Sequence, residues 1–474
     1  MFSFHLLLLW MPLQAGTAAV QVESPPPVSD RSPDVLLVLV DDLGWHDVGF
    51  TGGRSHLTPR IDALAEASTI FENAYADAPN CAPTRASLLS GQATARHGVL
   101  TVGSSKRGKA ANRQLEPVEN RRFLHHDQGT LADDLSRAGY RTVHVGKFHV
   151  GHDPLDYGFT DQVAGTSLGH PKSYSSPYRN PALADGPQGE YLTDRLVEEA
   201  VAYIESDDPR PLFMHMSFYT VHTPIQPRAD LLEDSQARLP DQSPRAQKYD
   251  AMVSALDAAV GRVLDSFSSR SRPVMIIFTS DNGGYGPLAD NGPLRGSKGT
   301  IYEGGIRVPL AVKWPGDNGP SRCDVPVILR DLVPTILDVT DSPADGRVLD
   351  GRSLAPGSEP GPDPLHAVPL HWHFPVYLER DSSVKGPWRT TPVAACRMGH
   401  FKLIEFFESG ELELYDLDSD PNEESNVAVD HPEVVRMMHQ EMQQWRSKVE
   451  ATLPTPLLTD PPPSANSIPP EGTP

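Results

Sequence analysis

The sequence predicts an α/β fold with a mainly parallel central sheet flanked by helices, followed by a smaller C-terminal α+β subdomain of antiparallel strands and one helix. Through the larger N-terminal part, apolar segments typical of buried strands alternate with helical patterns. After a break rich in Pro, Gly and Asp at residues 341–364, short alternating segments and a last helix follow. With 474 residues, 38% of them hydrophobic, the chain is long enough for one large core and a smaller one.

The first predicted strand is the continuous apolar run Val35–Val40, typical of a strand buried on both faces. Further strands are expected at Arg141–Val145, Leu212–Phe218, Val274–Thr279 and Pro309–Lys313. The helices expected between them are Pro59–Ala67 with Thr58 as its cap, Thr84–Ser90, Leu131–Ala138, Thr193–Ser206, Gln247–Phe267 and Leu329–Val339. This alternation favours parallel pairing with helices on both faces of the sheet.

The C-terminal part predicts a small antiparallel sheet from Ala395–Met398, Phe401–Phe407 and Glu411–Asp416, with a turn at 408–410. A helix is expected at Pro432–Ala451, with its apolar residues packed inward. We divide the chain into a signal peptide (1–19), a linker (20–33), a large domain (34–362), a smaller subdomain (363–452) and a disordered Pro-rich tail (453–474).

The N-terminus has the pattern of a cleavable secretory signal, which predicts a secreted or periplasmic protein. Apolar residues at 4–13 lead to small residues at 17–19, although no Lys or Arg precedes them. The alternative is a buried apolar N-terminus. No other apolar run has the length of a membrane helix. Cys323 and Cys396 either pair in an oxidising compartment or remain free thiols.

The formal net charge of −21 argues against nucleic acid and anionic membrane surfaces as partners, because the long-range field repels polyanions. An anionic substrate would be repelled in the same way. Its capture would therefore depend on cations gathered locally.

The segment Cys81-Ala82-Pro83-Thr84-Arg85 leads into a predicted helix, whose first backbone N–H groups and positive dipole end would face the Cys81 side chain. An anion held there would be stabilised. By itself the segment is a weak signal, because a cysteine at a helix start with proline in the first turn is common.

Hard oxygen donors follow two predicted strands. Asp41 and Asp42 come directly after Val35–Val40, and Asp281 and Asn282 follow Val274–Thr279. Ligands of open α/β sheets collect at the carboxyl ends of the strands. Three carboxylates and one amide oxygen suit a hard divalent cation, with calcium favoured over zinc because the set holds no thiolate or imidazole. Singly, each acidic pair would more often be a loop or a helix cap.

Basic and imidazole side chains occupy similar positions. Lys147 and His149 follow the strand at 141–145, His222 follows the strand at 212–218, and Lys298 lies in a Gly-rich loop. A lone His or Lys in such a place is usually solvated, but loops at one sheet edge can reach a shared crevice.

Together these motifs resemble the sulfatase family. CAPTR is similar to its signature, and DDLG, GKFH, VHTP, SDNGG and LRGSKG are similar to the accompanying motifs in the usual order, over roughly Pro33 to Glu450. The resemblance implies the alkaline-phosphatase-like α/β fold. It also implies oxidation of Cys81 to formylglycine (3-oxoalanine) by a formylglycine-generating enzyme, and one calcium ion per chain. The implied ligands are Asp41, Asp42, the modified Cys81, Asp281 and Asn282.

The implied reaction is hydrolysis of sulfate monoesters, on a sulfated sugar or glycan, through a covalent sulfo-enzyme at residue 81. Arg85, Lys147 and Lys298 would neutralise charge on the sulfuryl oxygens. His222, helped by Lys298, would protonate the leaving oxygen. His149 would take a proton from the second hydroxyl of the hydrated aldehyde, releasing sulfate.

Substrate contacts are expected from Arg295 in the LRGSKG motif and from His371 and His373 in HWHFP, which resembles a substrate-side loop of carbohydrate-acting relatives. Two packed or solvated histidines are an equal alternative. The segment 169–191 is a candidate pocket wall. A basic stretch attracts sulfated glycans or, as we favour, is a solvated insertion: Lys106, Arg107, Lys109, Arg113, Arg121 and Arg122.

Two other functions compete with this interpretation. One is a phosphodiesterase or phosphonate hydrolase on the same scaffold. The other is an inactive glycan-binding relative, against which the full set of polar groups argues.

Overall fold

A computed structural model of the chain describes residues 32–316, 319–344, 346–357, 368–382 and 385–457. The predicted signal peptide, most of the linker, the boundary at 362/363 and the tail beyond residue 457 lie outside these residues. Within the described ranges, no helix combines the length and the apolar character needed to cross a membrane.

The strands are β1 (Asp34–Val40), β2 (Thr69–Phe71), β3 (Ala74–Tyr75), β4 (Leu115–Glu116), β5 (Arg141–Gly146), β6 (Asp161–Val163), β7 (Leu212–Ser217), β8 (Val274–Ser280), β9 (Leu310–Lys313), β10 (Ser321–Cys323), β11 (Val327–Ile328), β12 (Leu370–Phe374), β13 (Leu378–Glu379), β14 (Trp388–Thr390), β15 (Val393–Met398), β16 (Phe401–Phe406), β17 (Leu412–Asp416) and β18 (Thr455–Pro456). The helices are α1 (Pro59–Glu66), α2 (Cys81–Ser90), α3 (Thr94–His97), α4 (Leu131–Arg137), α5 (Leu192–Ile204), α6 (Ala229–Arg238), α7 (Pro244–Phe267), α8 (Glu303–Ile306), α9 (Leu332–Val339) and α10 (Pro432–Lys448). Single turns of 3-10 helix lie at Gly49–Thr51, Ala110–Asn112, His126–Gln128, Pro154–Tyr157 and Leu329–Asp331.

The central sheet has eight strands in the order β10-β2-β9-β8-β1-β7-β5-β6. Strands β8, β1, β7, β5 and β6 run parallel, whereas β9 is antiparallel to both of its neighbours. Every residue of β1 is buried, as its apolar run predicts, because helices cover both faces. Residues of α1, α5 and α7 form the core on one face, and residues of α2, α4 and α9 form the core on the other. The predicted fold class is confirmed.

The C-terminal part forms a four-stranded antiparallel sheet in the order β12-β15-β16-β17. Helix α10 covers one face, where Met438 and Met442 are buried. The other face packs against the large domain, with the Trp372 and Tyr75 rings 5.3 Å apart. The smaller sheet is therefore anchored to the region that carries the strand-end residues.

Several elements differ from the prediction. Helix α2 begins at Cys81 rather than at Thr84, because proline is tolerated in a first turn. The highly charged helix α6 and the short strands β2, β3 and β10 were not predicted. Thr455 and Pro456, placed in the predicted disordered tail, form β18 and pair with β4. Cys81, Cys323 and Cys396 are all free thiols, so the pairing alternative is not realised in this structure.

Candidate active site

The acidic strand-end residues lie side by side because β1 and β8 are parallel neighbours, with Val40 opposite Ser280. The Asp42 N–H donates to Asp281 Oδ1 over 3.2 Å, and Asn282 Nδ2 donates to Asp42 Oδ1 over 2.9 Å. Asp41, Asp42, Asp281 and Asn282 are all buried. The register of two strands thus creates one compact oxygen-rich cluster.

Each carboxylate of this cluster has its own cation. Lys147 Nζ lies 2.6 Å from Asp41 Oδ2, and Lys298 Nζ lies 2.5 Å from Asp42 Oδ1. The Arg85 guanidinium, on the second turn of α2, lies 2.7 Å from Asp281 Oδ2. These pairings offset the cost of burying like charges together.

Arg85 also fixes α2 to the sheet. It donates to the Lys147 carbonyl oxygen over 3.0 Å and to Ser217 Oγ over 2.5 Å. These partners lie just after β5 and at the end of β7. The N-terminus of α2 is therefore held against the ends of the parallel strands.

Cys81 is the first residue of α2 and is 3% exposed. Burial raises the pKa of its thiol, an effect that the nearby Lys147 and Lys298 oppose. Cys81 lines a cavity of about 220 Å³ together with His149, His222 and Lys298. The helix N-terminus thus faces a cavity that already carries a lysine and two imidazoles.

The two histidines are neutral bases in this environment. Burial lowers the pKa of His149 well below its usual value, and Lys147, Arg85 and Lys298 lower it further. Burial also lowers the pKa of His222 to about 3, although Asp42, whose Oδ2 lies 3.5 Å from Nε2, acts in the opposite direction.

The acidic cluster fits a hard divalent cation. Ligand atoms of Asp41, Cys81 and Asp281 lie within 4.8 Å of one another. Asp41 Oδ1 and Asn282 Oδ1 are buried and have no hydrogen-bond partner among the described residues. Buried oxygens without a partner are costly, and a cation that prefers oxygen ligands would satisfy both. Burial raises the pKa of Asp41. Burial acts in the same direction on Asp42, but the adjacent Lys298 outweighs it and lowers the pKa of Asp42.

Not every predicted site residue lines the cavity. Arg85 and Lys147 lie beneath it, fully buried against carboxylates. Arg295 stacks over the Tyr302 ring at 3.8 Å and donates to the hydroxyl of Tyr415 and the carbonyl oxygen of Glu423. These contacts link a loop of the large domain to the C-terminal sheet, and they keep Arg295 away from the cavity.

The substrate-binding expectation for His371 and His373 also differs from the structure. Both are buried in β12, where His371 stacks on Trp445 at 4.7 Å. His373 Nε2 lies 2.9 Å from the carbonyl oxygen of Thr452. Neither lines the Cys81 cavity, because β12 lies between the large domain and α10. The packed alternative describes them.

Sequence reasoning missed two arginines that line the cavity, Arg107 and Arg389. Arg107 belongs to the basic stretch for which we favoured a solvated role. Arg389 lies on β14 and had no sequence signal. Of the predicted pocket wall at 169–191, Gly169 and His170 line the cavity.

The chain is similar to proteins of known family. The sequence model of the Sulfatase family matches residues 33–342, and that of the N-sulphoglucosamine sulphohydrolase C-terminal region matches residues 297–448. A sulfatase of Formosa agariphila is 30% identical, covering 89% of this chain and 90% of that protein. N-acetylgalactosamine-6-sulfatase of Canis lupus familiaris is 30% identical, covering 69% of this chain and 66% of that protein.

Among solved structures, the crystal structure of Ps i-CgsB has a TM-score of 0.72 at 26% sequence identity, covering 87% of this chain and 92% of that chain. A second structure of the same protein, in complex with k-i-k-neocarrahexaose, has a TM-score of 0.71.

Proposed function

Because this chain belongs to the sulfatase family, whose members hydrolyse sulfate esters, we propose that it acts on a sulfated carbohydrate with a formylglycine made from Cys81. The observation that carries the proposal is the gathering of Cys81, Lys298 and two histidines around one cavity at the start of α2, with the acidic cluster next to Cys81. The carbohydrate part is supported by the named activity of the canine relative and by the saccharide complex of Ps i-CgsB.

Asp41, Asp42, Asp281, Asn282 and the modified residue 81 would hold one calcium ion. When bound, this ion would stabilise negative charge on the sulfate oxygens and favour the deprotonated hydroxyl of the nucleophile. Arg85 and Lys147 keep their partners Asp281 and Asp41 in place, so their role in the proposal is to position ligands.

In the proposed reaction, one hydroxyl of the hydrated aldehyde at residue 81 forms a bond to sulfur while the bond from sulfur to the sugar oxygen breaks. Lys298, which lines the cavity, would contact the sulfuryl oxygens. The amide groups at the start of α2 would add to this stabilisation.

Two proton transfers complete the cycle. His222 would protonate the leaving sugar oxygen, since the arrival of a sulfate anion beside it favours its charged form. His149, which burial keeps neutral, would accept the proton of the second hydroxyl. Loss of that proton restores the aldehyde and releases sulfate, a step unavailable to an unmodified cysteine.

We also propose export through the signal at 1–19 and maturation by a formylglycine-generating enzyme that acts on the CAPTR segment. The proposed catalytic domain is 34–362 and the smaller subdomain is 363–452, as the sequence predicts.

The proposal is tested by mass spectrometry of the Cys81 peptide and by hydrolysis of aryl sulfate and aryl phosphate. Protein produced with the maturing enzyme should carry the aldehyde and turn over the sulfate faster. Cys81→Ala should abolish hydrolysis, while the matched change Cys323→Ala, at a half-buried thiol on β10, should leave it intact. Full activity with an unmodified Cys81 thiol, or faster turnover of the phosphate, would contradict the proposal.

A further inference from the structure

The cavity at Cys81 is lined by cations beyond those that the proposed reaction uses. Lys298, His149 and His222 have roles in that reaction, whereas Arg107 and Arg389 have none. Among the described residues that line the cavity there is no Asp or Glu. In a chain with a net charge of −21, a cavity whose charged lining groups are all basic requires an explanation.

Both arginines are held in place by carboxylates that do not line the cavity. Arg107 donates from Nε and Nη2 to Glu379 Oε1, over 3.1 and 2.5 Å. Arg389 Nη2 lies 3.1 Å from Asp381 Oδ2. A guanidinium has five N–H donors, so one carboxylate on each leaves donors for a further acceptor.

Arg389 also touches the loop that carries Lys298. Its Nη1 lies 3.3 Å from the Lys298 carbonyl oxygen, while Nε is buried without a hydrogen-bond partner among the described residues. A Cβ atom on Gly299 would lie 2.6 Å from Arg389 Cδ, so this close approach requires glycine. The arginine is thus fixed directly beside the reacting end of the cavity.

Arg389 lies in the hairpin formed by β13 and β14, and the chain segment of Arg107 packs against this hairpin. A Cβ atom on Gly108 would lie 2.2 Å from the Trp388 ring, and Trp388 pairs with Glu379 across β13 and β14. Trp388 precedes Arg389 in β14, and Glu379 binds Arg107. The hairpin therefore holds both guanidinium groups on one side of the cavity.

The reacting sulfate does not need these two groups. Around Cys81 the three cations Arg85, Lys147 and Lys298 are paired with the three carboxylates of the acidic cluster. A sulfate monoester carries a single negative charge, for which the proposed reaction already uses Lys298 and the amides at the start of α2. The guanidinium groups of Arg107 and Arg389 can therefore bind a group of the substrate other than the reacting sulfate.

We propose that Arg107 and Arg389 bind a second anionic group of the substrate, either a second sulfate ester or a uronic carboxylate, near the sulfate that is removed. This inference rests on the proposed function and names its substrate class as a saccharide with at least two negative charges. Arginine suits the task because its planar fork matches the oxygens of both kinds of anion.

The test compares kcat/KM of the matured protein on matched disaccharides with one sulfate, with two sulfates, and with one sulfate and one uronate. The doubly charged substrates should be preferred by at least about tenfold, the effect of a hydrogen-bonded charge. Which of them is preferred identifies the anion. Arg107→Gln and Arg389→Gln should each reduce the preference roughly tenfold. Lys109→Gln, at an exposed lysine of the same stretch, should keep the wild-type ratio.

Equal kcat/KM of the wild-type protein on singly and doubly charged substrates would overturn the inference. This comparison needs no variant, so the inference can be tested even if a variant fails to fold. A preference that survives both arginine substitutions would overturn it as well. Hydrolysis of 4-nitrophenyl sulfate separates failure of the second anion site from failure of the proposed function. If the matured protein hydrolyses this ester but shows no preference, only the second anion site is wrong, and if it hydrolyses no sulfate ester, the proposed function falls with it.

Discussion

Replacement of Lys402 by methionine tests how the smaller sheet is joined to the large domain. Lys402 lies on β16 and is fully buried, with Nζ 2.9 Å from Glu303 Oε1 and 2.9 Å from Glu423 Oε1. Both glutamates are buried, and the Glu303 N–H donates to Glu423 Oε2 over 2.6 Å. Lys402→Met keeps much of the side-chain length while it leaves two buried carboxylates without their shared cation.

The expected loss of stability follows from this geometry. Removal of one partner from a buried ion pair costs about 3–5 kcal/mol. Glu303 keeps Arg307 at 3.7 Å and a hydrogen bond from Tyr75, which favours the lower end of that range. An unfolding entropy of roughly 2.1 cal/mol/K per residue gives about 1 kcal/mol/K for a chain of 474 residues. The midpoint of thermal unfolding should therefore fall by about 3 °C if the chain unfolds as one unit.

Differential scanning calorimetry at neutral pH measures this shift. Lys248→Met, at an exposed lysine on α7, is the matched control and should change the midpoint by less than about 1 °C. Adding Glu423→Gln to Lys402→Met should recover part of the loss, because a neutral amide then replaces a buried acidic group, whose pKa burial raises to about 7. If the unfolding midpoint of Lys402→Met equals that of Lys248→Met, the reasoning is refuted. The ion pairs of Lys402 with Glu303 and Glu423 would then not stabilise the junction between the smaller sheet and the large domain.

Three further predictions concern the site and its surroundings. His222→Ala should slow alkyl sulfates, whose leaving groups are poor, more than aryl sulfates, and equal losses in kcat on both would reassign this histidine. Chelation should abolish activity, calcium should restore it, and Asp281→Ala should be inactive under both conditions; activity that survives chelation would refute the metal site. Hydrogen bonds from His56 to Asp250 and Asp47 outweigh its burial and raise its pKa to about 9. Because the folded pKa is raised, this stabilisation, on the order of 3 kcal/mol, should be complete below about pH 6.5 and lost as pH rises through about 9. Urea unfolding of His56→Gln and wild type at pH 6 and pH 10 measures it, and a difference that does not shrink at high pH would contradict the assignment.

The positions of the acidic residues were readable from the sequence because they depend on a local rule. Asp41 and Asp42 end one buried apolar run, and Asp281 and Asn282 end another. Parallel strands bring their carboxyl ends to one edge of the sheet, so the sequence predicts that these residues share an edge, whereas the pairing of β1 with β8 makes them direct neighbours. The helix that follows the CAPTR segment was also predicted, although it begins at Cys81 and not at Thr84.

The sequence could not show which polar residues of the C-terminal part face the cavity. His371 and His373 alternate with apolar residues in β12, but periodicity does not distinguish a face turned toward α10 from a face turned toward a ligand. Arg389 reaches the cavity because β13 and β14 pack on the Lys298 loop, a contact between segments about ninety residues apart. Such contacts depend on how two domains dock.

The sequence by itself determined the α/β architecture and the reactive cluster, since both follow from strand and helix patterns and from what directly succeeds each strand. Tertiary structure alone decided which cations line the cavity and which are buried beneath it. The physical reason is that Arg85 and Lys147 are paired with buried carboxylates and do not line the cavity. Arg107 and Arg389 do line it, while their partners Glu379 and Asp381 do not. All four side chains are cations, and only the packing around each one separates a structural cation from one that is available to a substrate.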